Sequence, residues 1–131
     1  MATVFNDAGK AIVTNRMIGS GTEPKNAGWG TSAGTAAAGD TTLFGEKDTD
    51  LSTTTGTRAA GTSSRVTTTV TNDTYQVVQT ITATGAGTVT NAGLFDGTTI
   101  GSNNLLMKGD FTGIGLASGD SIQFTFKLKF A

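Results

Sequence analysis

The last stretch of the chain, SIQFTFKLKF over 121–130, alternates apolar and polar residues without a break. Ile122, Phe124, Phe126, Leu128 and Phe130 fall on every second position, with Ser121, Gln123, Thr125, Lys127 and Lys129 between them. A period of two places all five apolar side chains on one face of a strand, whereas on a helix they would scatter around the axis. The segment therefore predicts a β-strand of about 33 Å, one face on a core and the other in water.

The same rhythm recurs upstream. Val66, Thr68 and Val70 share one strand face, and Asn72-Asp73 signals a turn. Segment 75–84 (YQVVQTITAT) predicts a second strand with Tyr75, Val77 and Ile81 on one face, pairing with the first as a hairpin. Gly85-Ala86-Gly87, Asp96-Gly97, Lys108-Gly109-Asp110 and Ser118-Gly119-Asp120 read as breaks between further short strands, with Asp96-Gly97 a tight turn. Near the N-terminus, Val4-Phe5 is a short apolar patch, and Asn6-Asp7-Ala8-Gly9 reads as a turn. Segment 11–18 (AIVTNRMI) reads as a strand rather than a helix. Seven or eight strands spaced near ten residues predict an all-β chain, a jelly-roll-like β-sandwich.

Residues 19–61 interrupt this pattern. Their large apolar residues are Trp29, Leu43, Phe44 and Leu51, set in Gly, Ala, Ser and Thr. Such a tract is either a flexible linker or a long loop pinned by those anchors. A long loop inside a compact domain is usually functional, and the ordered reading is preferred here. The expected organisation is one domain: an N-terminal arm and first strand (1–18), a Gly/Ala/Thr-rich contact loop (19–61) and a sandwich body (62–131).

Composition narrows the chemistry. The 131 residues include 19 glycines and one proline, with threonine more frequent still, which favours strands and turns. Nine basic residues against ten acidic ones give no basic excess, so no nucleic-acid partner is expected. No apolar run is long enough to span a membrane, and the N-terminus lacks a basic region followed by an apolar core. There is no histidine and no cysteine, which removes the commonest general base, metal ligand and thiol nucleophile. Asp48-Thr49-Asp50 offers oxygen ligands without the full calcium-loop pattern. Gly28-Trp29-Gly30 precedes no nucleotide-loop spacing. No enzyme activity, metal or cofactor is expected.

The remaining candidates are contact residues. Trp29, between two glycines, is an anchor pinning the loop or, less simply, an exposed recognition residue. Arg58 and Arg65 flank a Gly/Ser/Thr segment; they are ordinary surface arginines or partners for carboxylates on a neighbouring subunit. Lys127 and Lys129, on the outer face of the last strand, are read as keeping that edge from aggregating. Asn72-Asp73-Thr74 is formally a glycosylation acceptor but reads better as a turn. Val4, Phe5, Trp29, Leu43, Phe44, Arg58 and Arg65 form the set of candidate partner contacts.

Three blocks carry a resemblance: NAGWGTSAGTAAAGDTTLFGE (26–46), TTTVTNDTYQVVQTITATGAGTVTNAGLFDG (67–97) and GDSIQFTFKLKF (119–130). Together they resemble small structural proteins of tailed bacteriophages. Lys108 fills the place where those proteins carry a basic residue after a double-leucine segment. The resemblance implies a virion protein with a jelly-roll-like body, made in the host cytoplasm. It implies a capsid decoration (cement) protein on the outer head surface, a homotrimer bridging copies of the major capsid protein, or else a tail, baseplate or fibre component. A carbohydrate-binding β-sandwich is the reading from a different class, favoured if Trp29 or Tyr75 lies exposed on a groove.

Overall fold

The computed structural model describes residues 1–130. Along the chain run β1 (Thr3–Phe5), α1 (Asp7–Met17), β2 (Asn26–Gly30), β3 (Glu46–Lys47), β4 (Thr62–Val66), β5 (Thr74–Thr82), β6 (Gly87–Phe95), β7 (Leu105–Leu116) and β8 (Ser121–Lys129). The chain is all-β in class: strands take 44% of it and helix 8%, in two antiparallel sheets. One sheet has five strands in the order β1-β7-β6-β2-β3, and the other has three in the order β4-β5-β8. Both contribute to a shared core: Val77, Ile81 and Phe126 from the smaller sheet meet Trp29, Val89, Leu94, Leu106 and Met107 from the larger one.

The alternation read in the sequence is real, but its burial is uneven. Val77 and Ile81 are buried and Tyr75 is half-buried, all on one face of β5. On β8 only Phe126 is buried; Ile122, Phe124 and Leu128 are half-buried, and Phe130, just past the strand, is 53% exposed. The reason is position. β8 pairs with β5 alone and forms one edge of its sheet, so its apolar face overhangs the core. Phe124 stacks at 5.9 Å on Phe126 and meets Phe111 of β7 at 6.2 Å, which recovers part of the missing contact.

Three expectations fail in instructive ways. Segment 11–18 is helical up to Met17, and the expected turn at 6–9 is the start of that helix. Its apolar residues do not mark a face, because Met17 and Ile18 are exposed and only Gly9 and Ile12 are buried. The termini carry the signal instead. Asp7 sits in the first turn and Arg16 in the last, where each complements the helix dipole. The end is a Schellman motif: Gly19, at φ 76°, donates to the Arg16 carbonyl (3.1 Å) and Ser20 donates to that of Asn15 (2.8 Å). Gly9 lets the helix lie on β7, since a Cβ there would collide with the Leu106 carbonyl oxygen and the Phe5 ring.

The second failure is the strand through Val70. β4 stops at Val66, and Val70 is exposed in a turn organised by Asp73. The Asp73 carboxylate accepts the N–H groups of Thr68, Thr69 and Val70 at 2.8–2.9 Å. Those bonds hold it well below the usual carboxylate range. Asn72 takes the left-handed conformation there, and Thr74 is buried, so the formal glycosylation triplet is a turn.

The third failure lies in the breaks. Lys108-Gly109-Asp110 interrupts nothing, because β7 runs unbroken from Leu105 to Leu116. Asp96-Gly97 opens a longer loop rather than a tight turn, closed where Asp96 accepts both the backbone N–H (2.8 Å) and the side-chain amide (2.9 Å) of Asn104.

Trp29 is 1% exposed and lies within the shared core. Trp29→Ala is expected to cost about 3–5 kcal/mol in denaturant unfolding, whereas Met17→Ala stays within about 0.5 kcal/mol of the parent.

Candidate functional site

Segment 19–61 is not a free loop. Asn26–Gly30 forms β2, buried at every position and hydrogen-bonded in the sheet between β6 and β3. The alanine and glycine that obscured it in the sequence are what its surroundings require. A Cβ on Gly28 would strike the Glu46 carboxylate and crowd the Arg58 guanidinium.

That carboxylate and guanidinium form the first of two buried clamps. Arg58 Nε and Nη2 reach Glu46 Oε2 and Oε1 at 2.6 and 2.8 Å, a bidentate pair. Nη1 donates to the Gly97 carbonyl (3.0 Å) and Asn103 Oδ1 (3.2 Å), and Nη2 donates also to the Ser102 carbonyl (3.0 Å). All five guanidinium N–H donors thus have acceptors. The group lies 3.4 Å from the centre of the Phe95 ring, and its side chain is 1% exposed. One arginine thereby ties β3 and the 96–104 loop to its own segment.

The second clamp is Lys108, whose side chain is fully buried in mid-β7. Its ammonium donates to Asp40 Oδ2 at 3.0 Å and to the Thr42 carbonyl at 2.8 Å, and sits 3.2 Å from the centre of the Phe44 ring. Next to it, Asn91 mimics a strand partner: its Oδ1 accepts the Phe44 N–H and its Nδ2 donates to the Phe44 carbonyl, both at 3.0 Å. Asn6 donates to the carbonyls of Ala37 and Asp40 at 3.1 Å, and Asp110 Oδ2 accepts the Ala36 N–H at 2.7 Å. Polar side chains from β6, β7 and the β1–α1 junction thus bind the segment from Ala36 to Phe44, which has few apolar side chains of its own. Below it, Leu43 packs with Phe95 and Leu105 in a separate small core.

The candidate contacts separate on this scaffold. Val4 and Phe5 are half-buried on β1, and Phe44 is half-buried beneath Lys108. Trp29 and Leu43 are buried, and Trp29 Nε1 donates to the Asp48 carbonyl at 3.3 Å, so Trp29 is an anchor rather than a recognition residue. Arg58 is neither a surface arginine nor open to a neighbouring subunit, because Glu46 of its own chain holds it. Arg65 alone of the set is exposed, on β4. These seven residues do not form one surface. Sequence reading missed Glu46, Asp40, Asn91 and Asn6, which bear no local signature. Lys108 was singled out by position only, without its burial.

The outward side of the tract carries small residues: Ser32, Ala33, Gly34 and Thr35, then Ala37, Ala38 and Gly39, are exposed. A separate apolar cleft of about 380 Å³ lies between α1 and the smaller sheet, lined by Ile12, Val13, Met17, Tyr75, Leu128 and Phe130 among others. The Tyr75 hydroxyl donates to the Pro24 carbonyl at 3.0 Å; burial, then the charge of Glu23, holds its pKa above the usual phenol range. Among the described residues, no three acidic side chains come together as a metal site. Comparison with protein-family models, curated proteins and solved structures finds no match to this chain.

Removing one member of the buried Arg58–Glu46 pair strands the other. Glu46→Ala is expected to cost about 3–5 kcal/mol in denaturant unfolding, and the double change Glu46→Leu with Arg58→Met less than the sum of the single changes. Acid acts through three carboxylates, Asp40, Asp50 and Asp110. Asp40 is held below its unfolded value of 3.8 first by the Ala37 N–H and then by Lys108, and Asp110 first by the Ala36 N–H. Asp50, bonded to Thr53 and Ser52, falls from 3.8 to about 2. Each contributes stability that is complete above the unfolded value and lost as pH falls through the folded one. The thermal midpoint should therefore hold above about pH 4 and drop steadily toward pH 2.

Proposed function

We propose that the chain is a structural protein of a tailed-phage virion, a decoration protein on the outer surface of the head. Its body is read as a jelly-roll-like β-sandwich, and its partner as the major capsid protein. The observation that carries this reading is the small-residue tract of 31–42. It is fixed from beneath by Lys108, Asn6 and Asp110, with Asn91 holding Phe44 just beyond its end, while its outer side presents short, uncharged side chains. A surface of this kind lets another protein's backbone approach closely, and its rigidity lowers the ordering cost of binding. The sequence blocks that resemble phage structural proteins include this tract and both clamps' aromatic partners, Phe44 and Phe95.

The mechanism is mechanical. Each copy adds buried area across a joint between shell subunits, and many weak joints act together once the shell is fixed. Of the two features that would favour sugar binding, one is absent, since Trp29 is buried; Tyr75 lines the cleft beside α1, but its hydroxyl is already engaged by Pro24.

The test is binding of the purified protein to heads of the phage that encodes it, stripped of this protein. Saturation at a fixed number of copies per shell, with heads that withstand a higher temperature, is the expected result. Ala33→Glu with Ala38→Glu, both exposed, should weaken binding at least about tenfold while leaving the unfolding midpoint unchanged. Failure to bind heads while binding purified tails would move the protein to the tail.

A further inference from the structure

The two sheets end in four edges, and three are short. β1 has three residues, β3 two and β4 five. Short edge strands are a common protection against unwanted pairing. The fourth edge, β8, has nine residues and pairs with β5 from Thr74↔Lys129 to Thr82↔Ser121 with no register shift. It contains no proline and no bulge.

The direction of its free groups follows from the ladder. The Phe130 N–H donates to the Asp73 carbonyl at 2.9 Å, continuing the β5 register by one pair. Hydrogen-bonded pairs alternate along an antiparallel ladder, so Ile122, Phe124, Phe126 and Leu128 bond to β5. The N–H and C=O groups of Ser121, Gln123, Thr125, Lys127 and Lys129 therefore point away from β5. Among the described residues, no strand takes them up.

We propose that β8 pairs with β8 of a second copy of this chain, antiparallel, about a two-fold axis through Thr125. The sequence of the strand is complementary to its own reverse in this register. Thr125 meets Thr125 of the second copy, Gln123 meets Lys127 and Ser121 meets Lys129 at the hydrogen-bonded positions. Between them Phe124 meets Phe126 and Ile122 meets Leu128, at the non-hydrogen-bonded positions where side chains come closest. Both lysines thus face uncharged polar groups. An axis through Lys127 would instead set lysine against lysine.

The pairing also continues the core. Phe111, Phe124 and Met107 line an open cleft of about 520 Å³ between β8 and the β1–β7 side of the larger sheet. With the axis perpendicular to the sheet, the apolar faces of both β8 strands lie on the same side, and the three-stranded sheets join as one of six. Ile122 and Phe124, half-buried in one copy, each gain an apolar neighbour. The inference rests on the sheet edge and not on the virion reading. It is an alternative to the threefold association that the sequence resemblance implies, and mass distinguishes the two.

Sedimentation equilibrium of the whole chain at micromolar concentration should give the mass of two chains. Thr125→Pro removes an N–H that faces away from β5; it should lose the dimer and keep the parent's circular dichroism. A monomer at every concentration, a trimer, or a dimeric Thr125→Pro variant would overturn the proposal. Cysteine substitution tests it without a proline, since the chain has no cysteine of its own. Thr125→Cys should form a covalent dimer on mild oxidation, because opposed Cα atoms at such a pair lie about 5.5 Å apart, within disulfide reach. Gln123→Cys alone should not cross-link, but mixed with Lys127→Cys it should. Equal cross-linking of Gln123→Cys alone, or none by Thr125→Cys, would overturn the register.

Discussion

The structure depends on two cations placed out of reach of water. Arg58 and Lys108 each sit on an aromatic face and have their donors aimed at carbonyls and one carboxylate. Burying a charge is costly unless it is paired and hydrogen-bonded, so each cation tolerates few arrangements of its neighbours. That intolerance is useful here. The segments they hold, 40–42 for Lys108 and the loop 97–103 for Arg58, have too few apolar side chains to fix themselves by packing, and carbonyls aimed at an ammonium or guanidinium supply the missing specificity. The net stability of such pairs is modest compared with an apolar replacement; what they provide is a single conformation.

This way of fixing a loop frees its outer side. A loop anchored by its own leucines or phenylalanines spends its side chains inward and needs bulky residues at close spacing. Between 31 and 42 the anchors are instead backbone carbonyls and N–H groups, so the side chains stay small and outward. The same device reaches β2. Glycine at 28 makes room for the Arg58–Glu46 pair, so the strand that carries Trp29 into the core also bounds the clamp. Core, clamp and outer surface are therefore one construction, and a change in any of them is felt in the other two.

The uneven sheets set the second constraint. Five strands face three, and β8 overhangs at the side of β1 and β7 with half-buried phenylalanine and isoleucine on its core face. The lysines of β8 lie on its outer face, where they discourage indiscriminate stacking but do not block the edge, whose hydrogen-bonding groups lie in the plane of the sheet.

The all-β class, the strands from 75 to 95 and at 121–129, and the role of Trp29 as an anchor were legible in the sequence. Side-chain alternation is a local property, and a buried face imposes it residue by residue. The helix at 7–17 was hidden because its exposed Met17 and Ile18 blurred the apolar stripe; its charged ends and Gly19 were the readable signals. β2 was hidden for the opposite reason, since close approach of neighbouring groups demanded glycine and alanine where strand preference looks for branched residues. The clamps could not be read at all. Glu46 and Arg58 are 12 positions apart, and Lys108 stands 68 from Asp40; no spacing rule joins them. The sequence by itself determined the alternation of the long strands, because that follows from neighbours along the backbone. Only the tertiary structure decided which charges are buried and which edge is left open, because both depend on what the fold brings alongside.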